Sequence, residues 1–155
     1  MGRLSRPGPD IVRDSVDVEV VLPISREASW HILTDPIHLR NWFGSHVSLD
    51  ARLHGEFRKV WSQGERKVIT SGRIDEYDAP HRIGWSWSDD HWTVTTHLRL
   101  MFEPMSSGTA VRLLHSGWGD FPEPLGQQLR DAHEAGWRGH LASLERYAGQ
   151  HASRM

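Results

Sequence analysis

Histidines near the C-terminal end are the residues of this sequence whose chemistry stands out. The chain has 11 histidines and no cysteine, and His133 and His140 lie on one face of a segment with helical spacing. Seven residues along a helix separate two rings by about 10 Å, whereas a zinc ion lies only about 2 Å from each of its ligands. The pair is therefore not expected to share a metal, and the sequence predicts neither a metal site nor a cofactor.

The spacing of nucleophiles and carboxylates does not indicate a catalytic site. Catalysis by a side chain needs a nucleophile, a base within hydrogen-bond reach and an oxyanion donor. His115 and Ser116 are neighbours in a predicted strand, so their side chains point to opposite faces. Asp89 and Asp90 fall at a strand end, where carboxylates are usually solvated. We predict no catalytic residue and expect a binding protein rather than an enzyme.

Aromatic residues of matching strand parity predict a pocket instead. Apolar walls with a few polar groups are typical of small-molecule sites, although the same residues also build packed cores. The predicted lining consists of Trp42, Phe57, Trp61, Trp85, Trp87, His115, His133, Trp137 and His140. The three histidines are expected to be neutral and to hydrogen-bond a hydroxyl or carbonyl. Lys59 has the parity of Phe57 and Trp61 and, if it faces inward, is the obvious partner for an anion.

Hydrophobic periodicity predicts the elements that position these residues. Residues 16–22 alternate as a strand, Ser25 is a helix N-cap, and Asp35-Pro36 ends that helix and begins a second short one over 37–42. A period of two then predicts six strands linked by short turns. Their ranges are 47–52, 55–61, 67–77, 82–87, 93–103 and 109–116.

A long helix follows the strands, from about Pro122 to Gly149. All helices lie outside the central run of strands, which is typical of an α+β fold. The predicted architecture is a curved antiparallel sheet of about seven strands wrapped around the long C-terminal helix, with two short helices after the first strand.

Length and composition predict one domain between two tails. The 155 residues, of which 37% are hydrophobic, suffice for one real core. We predict flexible tails at residues 1–13 and 150–155 and a domain at 14–149. The first residues lack the apolar stretch of a signal peptide, and the chain has no cysteine, so we expect a cytoplasmic protein without membrane insertion.

The charge balance argues against nucleic acid as a partner. The sequence has eighteen basic and twenty acidic residues, which give a formal net charge of -2, and it contains no block of like charge. We expect a small hydrophobic molecule as the partner, with a protein partner as the alternative. No oligomeric state is predicted.

Several motifs in one order resemble a known family over about residues 15–149. They are Trp30-His-Ile-Leu-Thr-Asp-Pro36, Gly55-Glu-Phe57, Gly72, Asp78-Ala-Pro80 before Arg82-Ile83, Trp85-Ser-Trp87, Gly108-Thr109, His115-Ser-Gly-Trp118, and His133-Glu-Ala-Gly136-Trp137 with Leu141, Leu144 and Tyr147. The pattern resembles the START-like (SRPBCC) superfamily, in particular the group similar to the C-terminal domain of the activator of Hsp90 ATPase. This resemblance implies a helix-grip fold with a hydrophobic cavity, which the superfamily uses for lipids, polyketides and other apolar ligands.

Three functions are compatible with this sequence. The first, which we favour, is binding of a small apolar or aromatic ligand in a hydrophobic cavity between the sheet and the C-terminal helix. The second is a protein-interaction module similar to the chaperone-ATPase activators, for which we expect an exposed apolar patch around Trp92, Phe121 and Leu125. The third is a cavity cyclase or hydrolase with a histidine as the acid–base group.

Overall fold

A seven-stranded antiparallel sheet forms the body of the computed structural model, which describes residues 14–152. Its strands are β1 (Ser15–Leu22), β2 (Val47–Leu49), β3 (Glu56–Gln63), β4 (Arg66–Asp78), β5 (Arg82–Asp89), β6 (Thr96–Met105) and β7 (Gly108–Ser116). They lie in the order β1-β7-β6-β5-β4-β3-β2. The strands from β2 to β7 are therefore sequential hairpin neighbours, and β1 closes the far edge by pairing with β7. The predicted α+β fold is confirmed.

Two short helices carry the chain from β1 at one edge of the sheet to β2 at the other. They are α1 (Arg26–Thr34) and α2 (Pro36–Trp42). Ser25 Oγ accepts a hydrogen bond from the Ala28 amide at 3.1 Å, and Asp35 Oδ1 accepts one from the Ile37 amide at 2.9 Å. These caps satisfy amides that have no partner within the helix, and both agree with the sequence prediction.

The long helix α3 (Leu125–Ala152) has 28 residues, which corresponds to about 42 Å. It continues three residues past its predicted end at Gly149. The Tyr147 hydroxyl lies 2.6 Å from His38 Nδ1, and the His151 ring packs 5.3 Å from the His38 ring, so the last turn is held against α2. The predicted tail at residues 1–13 lies outside the described residues, as do residues 153–155. None of the helices in residues 14–152 is long and apolar enough to cross a membrane.

Polar contacts and apolar packing fix α3 against the sheet. The buried Arg130 donates from Nε to the Ser15 carbonyl of β1 at 2.9 Å, and its Nη2 pairs with Glu134 Oε1 at 2.6 Å. Leu144 and Ala148 are fully buried further along the helix. Because α3 is clamped to β1 and buried along most of its length, its inward face and the sheet define one continuous interface.

The predicted strand faces agree with the observed burial. Phe57 of β3, Trp85 and Trp87 of β5, and Leu113 of β7 are all buried, and the Trp87 ring lies 5.3 Å from Trp137 of α3. The odd-numbered residues of β3, β5 and β7 therefore face α3.

Candidate functional site

The interface between α3 and the sheet has a closed part and an open part. The closed part, which we call the inner core, contains Trp42, Phe57 and Trp85 together with leucines of α1, α2, β6, β7 and α3. Its free volume is about 10 Å³, which corresponds to roughly a single water molecule. Four of the predicted lining residues, Trp42, Phe57, Trp85 and Trp137, thus surround a packed interior with no room for a ligand.

The open part is a pocket of about 260 Å³ at the other end of the interface, which we call the outer pocket. It is formed by β3, β5, the loop after β5 and the middle of α3. Its walls are Phe43, Lys59, Trp61, Gln63, Trp87, Asp89, His91, Trp92, Leu129, Ala132, His133, Gly136, Trp137 and His140. The structure therefore brings together Trp61, Trp87, His133, Trp137 and His140 of the predicted set.

Small residues of α3 leave the outer pocket open. Ala132 and Gly136 line it one helical turn apart, and a Cβ atom built on Gly136 would meet no atom within 4 Å. In the inner core, the corresponding space is filled by Leu141 and by leucines of α1 and α2. The small side-chain volume of α3 at Ala132 and Gly136 leaves the space open.

His115, the ninth predicted lining residue, lies behind the pocket wall as the centre of a buried hydrogen-bond chain. Trp137 Nε1–H donates to His115 Nδ1 at 3.0 Å, so the proton of the neutral ring is on Nε2. Nε2–H donates to Thr96 Oγ1 at 2.7 Å, and the Thr96 hydroxyl donates to the Trp87 carbonyl at 2.9 Å. Burial, aided by the nearby His133 and His97, holds the pKa of His115 well below its ordinary value. His115 therefore stays neutral and joins α3 to three strands.

His133 and His140 are neutral at pH 7 and stand at the pocket surface. His133 Nδ1–H donates to the Leu129 carbonyl at 2.8 Å, which leaves Nε2 as a hydrogen-bond acceptor. Burial lowers the pKa of His133, although this backbone bond and the charge of Asp89 oppose the shift. Burial and the positive charge of Lys59 lower the pKa of His140 to about 4.

Lys59 faces the pocket from β3 and is half-buried. Its Nζ lies 5.3 Å from the Trp61 ring centroid and 5.5 Å from that of Trp87, within the range of cation–π attraction. Burial lowers the pKa of Lys59, and the negative charge of Asp89 partly offsets this effect. Lys59 has the parity of Phe57 and Trp61 in β3 and lines the outer pocket, so the condition set in the sequence analysis, that it faces inward, is met.

Asp89 is a pocket residue that the sequence analysis placed in solvent, and that prediction is wrong. Strand β5 continues to Asp89, and only 5% of this residue is exposed. Its Oδ1 accepts a hydrogen bond from Thr70 Oγ1 at 2.5 Å, and Thr70 Oγ1 accepts one from Trp61 Nε1 at 2.9 Å. Asp89 shares the parity of Trp85 and Trp87, which is the signal that could have placed it on the inner face.

The expected apolar patch around Trp92, Phe121 and Leu125 is not formed, so that prediction is also wrong. Phe121 is buried, and its ring lies 5.1 Å from that of the half-buried Trp92. Trp92 also packs 5.8 Å from the fully buried Trp118. These rings fill the end of the interface beside the outer pocket, and Leu125 alone of the three is exposed, at 43%.

Two indole N–H groups stand out among the buried donors. Trp85 Nε1 and Trp87 Nε1 are buried and have no acceptor among residues 14–152, whereas Trp42 Nε1 donates to the Ile32 carbonyl at 3.0 Å. An unpaired buried donor is costly. Within the same described range, no three histidine or carboxylate side chains are arranged to hold a metal ion. The outer pocket thus offers aromatic faces, one ammonium group, one carboxylate and imidazoles.

Solved structures confirm the fold at low sequence identity. Protein MLL2253 from Mesorhizobium loti is 18% identical, with a TM-score of 0.75 over 88% of this chain and 97% of that one. DynU16, from the dynemicin biosynthetic locus, is 22% identical, with a TM-score of 0.70 over 87% of this chain and 47% of that one. The Aha1 dimer from Colwellia psychrerythraea is 16% identical, with a TM-score of 0.70 over 86% of this chain and 94% of that one.

The family comparison covers most of the chain. No curated protein matches it, but the model of the family described as Activator of Hsp90 ATPase homolog 1-like protein matches residues 23–149. This range includes every element from α1 to β7 and nearly all of α3. The resemblance seen in the sequence motifs is confirmed, and the chain belongs to the Activator of Hsp90 ATPase homolog 1-like family of START-like proteins.

Proposed function

We propose that this protein binds a small aromatic molecule in the outer pocket. The observation that carries the proposal is an unfilled space of about 260 Å³ whose walls include Trp61, Trp87, Trp92 and Trp137. Sites for drug-sized ligands usually measure about 300–1,000 Å³, so the volume favours a ligand of one or two rings over a long acyl chain. The packed inner core offers no extension of this space.

Burial of an aromatic ring in this pocket is expected to give micromolar affinity. Burial of apolar surface contributes about 25 cal/mol per Å², from which the loss of translational and rotational freedom must be subtracted. The walls are already partly ordered, since Trp61 is hydrogen-bonded to Thr70 and Trp137 to His115. A preorganised aromatic site of this size is compatible with micromolar binding. The origin of the structural neighbour DynU16 in a biosynthetic locus is also compatible with a small-molecule ligand.

Two glycines of α3 provide a matched test. Gly136 lines the outer pocket, Gly139 does not, and a Cβ on either would meet no atom within 4 Å. A panel of aromatic compounds would be screened by tryptophan fluorescence and thermal melting. We expect saturable binding with a raised Tm, which Gly136→Leu weakens at least about tenfold because its side chain enters the pocket. Gly139→Leu should bind like the wild type.

Two results would contradict the proposal. One is the absence of binding to the wild type across the panel, and the other is equal binding by the Gly136→Leu and Gly139→Leu variants. Neither alternative function has comparable support. The surface expected for an interaction module is largely buried at Phe121, and the pocket histidines of residues 14–152 are not paired with a nucleophile.

A further inference from the structure

We propose that the outer pocket selects an aromatic carboxylate, and that Lys59 binds the carboxylate group. This inference rests on the proposed function and specifies the class of its ligand. It follows from the unpaired ammonium group of Lys59, from the aromatic rings around that group and from the charges of the other pocket residues.

Lys59 carries donors that the protein does not use. Among residues 14–152, its ammonium group forms no ion pair and no hydrogen bond, although three N–H groups are available. The nearby Asp89 is already an acceptor for Thr70 and forms no ion pair with Lys59. Lys59 is half-buried, so its charge has lost part of its hydration without gaining a partner among the described residues. A ligand carboxylate would supply both an opposite charge and acceptors, which form the stronger class of hydrogen bond.

The rings beside Lys59 place an aromatic surface next to this charge. Nζ lies 5.3 Å from the Trp61 ring and 5.5 Å from the Trp87 ring, and both rings line the outer pocket. One compact ligand can therefore pack its ring on the tryptophans while its carboxylate reaches Lys59.

Of the residues that the structure describes, Lys59 is the only lysine or arginine in the wall of the outer pocket. His133 and His140 are uncharged at neutral pH. Asp89 is the opposing charge and would favour a cationic ligand, but it is almost completely buried and hydrogen-bonded to Thr70. The half-buried Lys59 is the more accessible of the two charged groups. A ligand ammonium is therefore the competing possibility that an experiment must distinguish.

Three compounds of one shape test the charge preference directly. Calorimetric titration at neutral pH would compare naphthoate, naphthalenemethanol and naphthylmethylammonium, all substituted at the same ring position. We expect naphthoate to bind about tenfold to a hundredfold more tightly than the alcohol, which is the range for hydrogen bonds to charged groups. The ammonium compound should bind most weakly because Lys59 repels it.

Lysine variants assign the preference to one residue. Lys59 and Lys67 are the only lysines in the sequence, and Lys67 is exposed on β4. Lys59→Met should remove the preference for naphthoate over the alcohol, whereas Lys59→Arg and Lys67→Met should retain it. Lys59→Met replaces a half-buried charge by an apolar chain of similar length, so its Tm should equal or exceed that of the wild type.

The possible results separate the two proposals. Binding of all three compounds with equal affinity would overturn the carboxylate preference and leave the aromatic pocket standing. Tightest binding of the ammonium compound would overturn the carboxylate preference and would indicate that Asp89, rather than Lys59, selects the charge of the ligand. Failure of all three to bind, together with failure of the wider aromatic panel, would overturn the pocket function itself.

Discussion

The inner core and the outer pocket are two halves of one helix–sheet interface with opposite properties. The inner core is apolar and closed, with about 10 Å³ of free space. The outer pocket retains about 260 Å³ and mixes tryptophans with Lys59, Asp89 and two histidines. Both halves share β3, β5 and α3. The difference therefore arises from side-chain size and from the cover that other elements supply.

This contrast separates the part of the interface that stabilises the fold from the part that is available to a ligand. Helices α1 and α2 place Leu33, Leu39 and Trp42 over the inner core. Of the residues before β3, only Phe43 lies along the outer pocket, and α3 itself has a glycine there. We expect substitutions in the inner core to lower stability strongly and substitutions in the outer pocket to affect binding more than stability.

Phe57 and Trp61 provide the sharpest test of the contrast, because they lie on the same face of β3. Phe57 is 1% exposed and stacks on Trp85 and Trp87, whereas Trp61 is only half-buried. We expect Phe57→Ala to lower the free energy of unfolding by about 3–5 kcal/mol and Trp61→Ala to lower it by about 1 kcal/mol. Urea unfolding monitored by circular dichroism would measure both. Equal losses would contradict the division into two halves.

Substitution of Trp85 and of Trp137 separates the contribution of apolar packing from that of hydrogen bonding, because only one of the two indole N–H groups has an acceptor in the described part of the chain. Both residues are 4% exposed, but Trp137 Nε1 donates to His115 and Trp85 Nε1 has no acceptor in residues 14–152. Phenylalanine removes the N–H from either ring. We expect Trp137→Phe to cost about 1–3 kcal/mol more than Trp85→Phe, because it leaves a buried histidine nitrogen unpaired. Comparable losses in denaturant unfolding would show that the His115 chain contributes little.

Stability should decrease gradually, rather than in one step, as the pH falls, because one buried and two half-buried histidines have lowered pKa values. Burial lowers the pKa values of His115, His133 and His140 from 6.5, for His140 to about 4. The unfolded chain therefore binds more protons, so stability is complete above about pH 6.5 and falls as the pH decreases towards about 4. The lowered pKa values of Asp17 and Glu134 add a loss only below about pH 4.5.

Urea unfolding between about pH 7 and pH 5 would measure the histidine contribution. His140→Gln should make the decrease in stability shallower, because one of the rings that protonate on unfolding is gone. An unchanged pH profile in this variant would indicate that His140 titrates equally in both states.

The smallest expected change in stability is that of alanine substitutions at Gly136 and Gly139 of α3, both of which have free space beside the backbone. Alanine at position 136 or 139 would meet no atom within 4 Å and would favour the helix, so each variant should gain about 0.5–1 kcal/mol in stability. A methyl group is small, so Gly136→Ala should retain most ligand binding. Stabilisation by Gly139→Ala with destabilisation by Gly136→Ala would mean that the outer pocket is not open at its helical wall.

The elements of the fold were largely predictable from local pattern. The period of two in β3, β5 and β7 identified the buried faces, and Ser25 and Asp35 marked helix starts through caps that involve residues only two or three positions away. These features depend on neighbours close in sequence, so the sequence alone determined them. Strand ends were less accurate, as the extension of β5 to Asp89 shows, because pairing with an adjacent strand decides where a strand ends.

The candidate site was predictable only as a list of inward-facing residues. Parity identified Trp61, Trp87 and Trp85 as inward but did not separate the first two, which line the outer pocket, from the third, which lies in the inner core. It also did not show that His115 stands behind the wall or that Phe121 is covered.

Tertiary structure decided those points. The depth of a residue depends on the volume of side chains that are distant in sequence, such as the leucines of α1 and α2 over one half and Gly136 beside the other. The sequence by itself determined the faces that meet. Packing between distant elements determined where they leave space, because a void is a property of all its walls together and of no single segment.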